Sequence, residues 1–143
     1  MLPVNQIWFA WSAPSGQGFA RPHVQIVVLN RSNNFQRIAQ MQVWNPGYAF
    51  AYPALTSNSR GEVGMSLEYG GGGNYENHVV GFWGDFVVYL TTASNIGTGR
   101  FGDYVTIRPN TADPTRFDAF GYGLINGVVG TQSDTRYVVF GRP

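Results

Sequence analysis

The sequence predicts an all-β fold, a β-propeller of four-stranded antiparallel blades, and three observations lead there. The first is composition: 43% of the 143 residues are apolar, 15% are aromatic and 19 are glycine. That mixture of strand-forming rings and turn-forming glycines suits many short strands joined tightly. The second is pattern, since apolar and polar residues alternate over short runs and no helix of ordinary length is visible. The third is recurrence: the runs return every ~50 residues, four to a unit, as in a propeller blade. A β-sandwich is the alternative that the same alternation allows, but the units succeed one another along the chain instead of nesting.

In order, the first strand runs from Ile7 to Ala13 and ends at Pro14-Ser15-Gly16. A second, from His23 to Leu29, sets Val24, Ile26 and Val28 against Gln25, Val27 and Leu29, and Asn30 to Asn34 is a turn by composition. Arg37 to Trp44 follows, closed by Asn45-Pro46-Gly47. The stretch from Ala51 to Phe86 then spells out a unit without interruption: strands at Tyr52 to Thr56, Glu62 to Tyr69, His78 to Trp83 and Phe86 to Thr92. After Gly97-Thr98-Gly99-Arg100 the cycle restarts with Tyr104 to Arg108, Arg116 to Tyr122 and Arg136 to Phe140.

Tyr52 and Tyr104 stand 52 positions apart, His23 and His78 55, and His78 and Arg136 58. The expectation is a single domain of three units, 5–50, 51–95 and 96–143, holding strands two to four, all four, and the first three of successive blades. Such an open arc leaves apolar blade faces and strand edges in water. The predicted remedy is a homodimer, two copies completing six blades.

The formal net charge is +1 and all nine basic residues are arginine, too weak a field to draw in nucleic acid or an anionic membrane. No apolar run approaches the ~20 residues of a membrane span. The absence of cysteine excludes disulfides and thiolate metal sites. The opening Met-Leu-Pro-Val-Asn-Gln has neither the basic nor the apolar segment of an export signal.

Three motifs carry a resemblance: Tyr52-Pro53-Ala54-Leu55, Gly61-Glu62-Val63-Gly64, and Arg100-Phe101-Gly102-Asp103-Tyr104. On these, the chain from Ile7 to Arg142 resembles the sialidase-like, six-bladed propellers of bacterial extracellular proteins. The resemblance implies the fold and an extracellular or periplasmic setting. The Asp-box of many sialidases is missing, because its nearest counterpart, Ser57-Asn58-Ser59-Arg60-Gly61, has no acid. Catalytic residues therefore do not carry over.

The sharpest polar cluster is Arg100 to Tyr104, which before an inner strand would bring Arg100, Asp103 and Tyr104 to a channel where ligands bind. The plainer reading has Asp103 capping a turn and pairing with Arg100 or Arg108, with Tyr104 stacked between blades. Asp85, in Trp83-Gly84-Asp85-Phe86, reads as a hairpin turn and as a further ligand-binding candidate. Glu62, Glu68 and Asp118 lie on or beside second strands. Facing carboxylates there could work as acid and base on a glycosidic bond, and a solvated strand face is the plainer reading.

Gly70 to Asn74 is a hairpin loop and not a phosphate site, since no helix follows it. His23 and His78 read as equivalent strand-start residues, leaving no metal cluster. Cofactors are expected to be none, calcium at turns such as Asn110 to Asp113 being the one candidate. Trp8, Trp11, Trp44 and Trp83 should mostly pack between blades, one or two facing solvent. The leading functional expectation is a non-catalytic module that self-associates and binds a carbohydrate or other polar ligand at the channel, with Glu68, Asp85, Arg100, Asp103 and Tyr104 as binding residues. The rival is a sialidase-like glycoside hydrolase using carboxylates of adjacent blades, and a third reading is a structural fragment of an exported protein.

Overall fold

The computed structural model describes residues 5–85, 87–98 and 101–143; within them the chain is strand and turn, with one 3-10 turn at Arg31–Asn33. Three antiparallel sheets follow one another. The first holds β1 (Gln6–Ala13), β2 (His23–Asn30) and β3 (Gln36–Val43). The second holds β4 (Ala49–Ser57), β5 (Val63–Gly71), β6 (Asn74–Phe82) and β7 (Val88–Leu90), and the third β8 (Thr106–Pro109), β9 (Phe117–Gly127) and β10 (Gly130–Phe140). Each is a meander in chain order, and none closes on itself.

Alternation explains the layering. Along β2, Val24, Ile26 and Val28 are buried and turn toward the second sheet, where they meet Phe50, Met65, Leu67 and Val79. The opposite face of the second sheet presents Val80 and Phe82, which pack on Ile107, Phe117 and Ala119 of the third. The middle sheet is thus covered on both faces, so β5 is buried almost throughout and reads as a continuous run instead of an alternating one. Each fully buried aliphatic side chain here is worth about 1.5–3 kcal/mol. Close approach is bought with glycine at one telling place: a Cβ on Gly64 would lie 2.9 Å from both Ile107 and Phe117.

Several strand limits differ from the sequence reading. β6 starts at Asn74 and not at His78, β9 runs on past Tyr122 to Gly127, β10 begins at Gly130 and not at Arg136, and β8 begins at Thr106, leaving Tyr104 outside it. The added segments are polar or glycine-rich and lack the alternation that marks a strand; pairing with a neighbour, Gly127 with Gly130 at the hairpin tip and Gly71 with Asn74, makes them strands. Phe86, the expected start of a fourth strand, lies outside the described residues.

The alignment of units also shifts. β1 lies against β4 and β4 against β8, so the first strands of successive sheets adjoin, whereas the sequence reading made the first strand of the chain a second strand. The equivalence of His23 and His78 produced that offset. His23 opens β2 opposite Ala13 and stacks on Phe19 at 3.9 Å between ring centroids; His78 is central in β6, opposite Glu68.

Candidate functional site

Register puts Glu68 and His78 side by side on the face of the second sheet that looks toward the third. His78 is fully buried, and both ring nitrogens are engaged: Nε2 lies 2.7 Å from Ser66 Oγ and Nδ1 2.5 Å from Thr91 Oγ1. The imidazole sits over Gly121 of β9, where a Cβ would come within 2.2 Å of the ring. Burial pushes its pKa down to about 4, so it is neutral at pH 7. This Ser-His pair is no activated nucleophile, since Ser66 and His78 are both 0% exposed and no carboxylate orients the ring.

With its neighbour so occupied, Glu68 is left alone. It is 3% exposed, and neither carboxyl oxygen has a hydrogen-bond partner among the described residues. Burial pushes its pKa up to about 8, so at pH 7 it is a protonated acid that can donate one hydrogen bond and accept another. Glu68 is among the residues that line a cavity of about 310 Å³, at the lower end of the range for small-molecule sites. Segments tied to all three sheets meet there: Arg21 ahead of β2, Tyr52 on β4, Tyr69 on β5, Glu76 on β6, and Phe101 ahead of β8.

Tyr52 is held in an unusual way. Its φ is +51°, a region costly for a side chain bearing a Cβ, and the β4–β5 register breaks between Ala51 and Ala54. The backbone NH of Tyr52 donates to Ser12 Oγ of β1 at 2.8 Å. Its ring lies against Gly102, where a Cβ would stand 2.1 Å from ring carbons. Gly102 NH in turn donates to Tyr122 Oη at 3.1 Å, and the Phe101 and Tyr122 rings are 4.7 Å apart. An aromatic wall is thereby fixed on one side of the cavity by the loop entering β8.

The sequence-derived candidates separate. Of the five, Glu68 is buried in this cavity. Asp103 is exposed, and Arg108 pairs with Asp118 at 3.6 Å and not with Asp103. Tyr104 is 93% exposed and is not stacked between sheets. Asp85 lies in the β6–β7 turn, ion-paired with Arg142, which also reaches Glu62 at 3.4 Å and covers the Phe82 ring. Arg100 lies outside the described residues.

The solvated-face reading fails for two carboxylates: Glu68 and Asp118 are each 3% exposed. Asp118 Oδ1 accepts from Asn110 at 2.6 Å and from Tyr137 at 3.0 Å, and these partners, the Asn110 bond first, hold its pKa below the usual carboxylate range. At the suggested calcium turn, Asn110 Oδ1 accepts from the NH groups of Ala112 and Asp113, while Asp113 Oδ1 accepts from Thr115. Those oxygens are spent within the turn.

The glycine loop is a tight tip pressed on the first two sheets' connection, since a Cβ at Gly72 would collide with the Gly47 carbonyl. Trp8 and Trp83 pack edge to face at 6.2 Å, and Trp11 and Trp44 face solvent at 44% and 52% exposure. Sequence reasoning missed Arg21, Glu76 and Phe101 as cavity residues; the spacing of Glu76 from His78 on one strand face was the available signal.

A second cavity, about 460 Å³, lies between the first two sheets and is walled by Trp44, Tyr48, Phe50, Phe82, Trp83 and Val88. It has no carboxylate or basic side chain in its lining; two further cavities, about 420 and 740 Å³, carry Asp85 and Arg142, and Arg136, respectively, and the Glu68 cavity is set apart by a buried carboxyl without a hydrogen-bond partner among the described residues. No protein-family model, curated protein or solved structure matches the chain.

Proposed function

We propose that the chain is a β-module that binds an uncharged, hydroxyl-rich ligand, a glycan, in the Glu68 cavity. One observation carries this: Glu68, a residue of the cavity lining, has a buried carboxyl with no hydrogen-bond partner among the described residues. Burying such a group costs about 1–3 kcal/mol when nothing pairs with it, and a ligand hydroxyl satisfies it by accepting a hydrogen bond from the acid O–H and donating one to its carbonyl oxygen. Tyr52 and Phe101 supply ring surface of the kind against which sugar faces stack.

The same reading treats the three sheets as consecutive blades of a sialidase-like propeller ring that a second copy completes. The row of first strands β1, β4 and β8 supports it, as does the double coverage of the middle sheet. The outer faces support association: Phe9, Trp11 and Ile38 are 51%, 44% and 47% exposed on the first sheet, and Tyr137 and Val139 are 55% and 42% exposed on the third.

A glycan-array screen followed by titration calorimetry tests the site. Glu68→Gln, whose amide can still donate and accept, should bind within a few-fold of the parent, and Glu68→Leu should lose at least tenfold, about 1.4 kcal/mol. Failure of the parent chain to bind any glycan rejects the site reading. Sedimentation velocity over a range of concentrations tests the assembly, which a monomer throughout would reject.

A further inference from the structure

The outermost strands of the three sheets are not alike. β4 carries Pro53 and breaks register between Ala51 and Ala54, and β3 pairs with β2 across a shift at Val28 and Leu29. β7 is three residues long, β8 is four and ends on Pro109, and β1 lies against β4. Short length, proline and irregular register are the means by which an edge strand is kept from pairing with another chain. β10 has none of them. Its eleven residues pair with β9 in unbroken register, it holds no proline or lysine, and β9 is its one neighbour in the sheet among the described residues. Alternate residues of an antiparallel strand direct NH and C=O away from the strand already paired, so β10 offers a template about 37 Å long, at 3.4 Å per residue.

The charges along this edge say which strand fits it. Asp134 and Arg136 are the two charged residues of β10, and they flank Thr135, the midpoint of Gly130–Phe140. They share a strand face, with Arg136 Nη2 2.8 Å from Asp134 Oδ2, and their side chains are 53% and 24% exposed, arginine first. Two copies of β10 laid antiparallel about a two-fold axis at Thr135 pair along the whole strand, Gly130 opposite the partner's Phe140. In that register each Asp134 stands opposite the partner's Arg136. Opposed residues of an antiparallel pair point to the same side, so the axis must pass through a residue. Moving it by one position puts Asp134 opposite the partner's Asp134, or Arg136 opposite the partner's Arg136. Opposite charges directly across such a pair stabilise it and like charges destabilise it. Full-length pairing and charge pairing therefore select one and the same register.

We propose that β10 is a self-complementary edge to which a second copy of this chain adds its own β10, antiparallel and centred on Thr135. The three strands of each third sheet then run on into those of the other, and the contact is isologous, the same patch serving on both sides. This goes beyond the ring reading. A ring closes through the outer faces of the first and third sheets, whereas this contact uses the rim of the third, so either can be lost without the other.

The experiment follows the full chain by sedimentation velocity beside Asp134→Arg, Arg136→Asp and the double exchange. Each single variant sets like charges opposite each other on both sides of the axis and should raise the dimer dissociation constant about tenfold. An equimolar mixture of the two single variants sets arginine opposite aspartate throughout, as the double exchange does with itself, and both should associate as the parent does. Oxidation reads the register. The chain has no cysteine, opposed Cα atoms of an antiparallel pair are about 4.5–5.5 Å apart, and a disulfide spans about 4.4–6.8 Å between Cα atoms. Thr135→Cys should therefore cross-link two copies, and Ser133→Cys, at a position that faces the partner's Tyr137, should not.

Single variants that associate as the parent does, a mixture that stays monomeric, or cross-linking of Ser133→Cys equal to that of Thr135→Cys overturns the edge contact and leaves the ring reading standing. A parent chain that is monomeric at every concentration overturns both.

Discussion

Glu68 and Asp118 are equally hidden, each 3% exposed, yet they are opposite in kind. Asp118 lies on the outer face of the third sheet, with Asn110, Tyr137 and Arg108 gathered on its oxygens, and it stays ionised. Glu68 lies between two sheets with no hydrogen-bond partner among the described residues and stays protonated at pH 7. Burial alone therefore does not distinguish an acid that braces a sheet from one left unsatisfied; the partner count does.

The largest effect is expected where the two regions touch. Gly121→Ala drives a methyl into the His78 ring and should destabilise by about 3 kcal/mol, the upper end for overpacking, read from urea midpoints. It also pushes the imidazole toward Glu68, so its ligand affinity should fall even where the fold survives.

Next comes pH. Glu68 has its pKa raised from 4.5 to about 8 by folding, so folding takes up a proton: the stability tied to its neutral form is complete below pH 4.5 and is lost as pH rises through 8. His78 has its pKa lowered from 6.5 to about 4, so its contribution is complete above pH 6.5 and is lost as pH falls toward 4. The two oppose each other between pH 4.5 and 6.5 and give a plateau. From pH 6.5 to 8 Glu68 acts alone and stability should fall by about 2 kcal/mol, at 1.4 kcal/mol per pH unit. Denaturation across that window should show the slope in the parent chain and a flat line in Glu68→Gln; a slope that persists in the variant assigns it elsewhere.

A smaller loss, about 1–1.5 kcal/mol, is expected for Asp118→Asn, because the Asn110 and Tyr137 donors each lose a charged acceptor. Glu68→Leu at pH 8 should have the opposite sign and raise Tm, since it removes a buried group that nothing pairs. If both substitutions destabilised alike, the contrast between the two acids would be lost. Smallest is Arg142→Ala: its pairs with Glu62 and Asp85 are only partly screened from solvent, and about 0.5 kcal/mol is expected.

Much of this architecture was legible in the chain. Alternation in His23 to Leu29, the turn residues at Asn30 to Asn34 and Asn45 to Gly47, and the return of the same sequence of runs delivered the strands and the places where one sheet ends and the next begins. Segments such as Asn74 to Asn77 and Gly130 to Thr135 were not legible as strand, because their own residues prefer turns and only a paired neighbour satisfies their backbone. The site was half legible. Glu68 stood out as an acid on a strand, but Asp103 and Tyr104 stood out equally and are in solvent.

Local order of residues thus determined that this protein is a succession of antiparallel meanders, since the period of two and the turn chemistry act over a few residues. Tertiary structure decided which acid lost its water. A period of two says that Glu68 faces opposite to Leu67, and it does not say what lies there; only the third sheet, laid on that face with glycine at position 121 to admit His78, made it an interior.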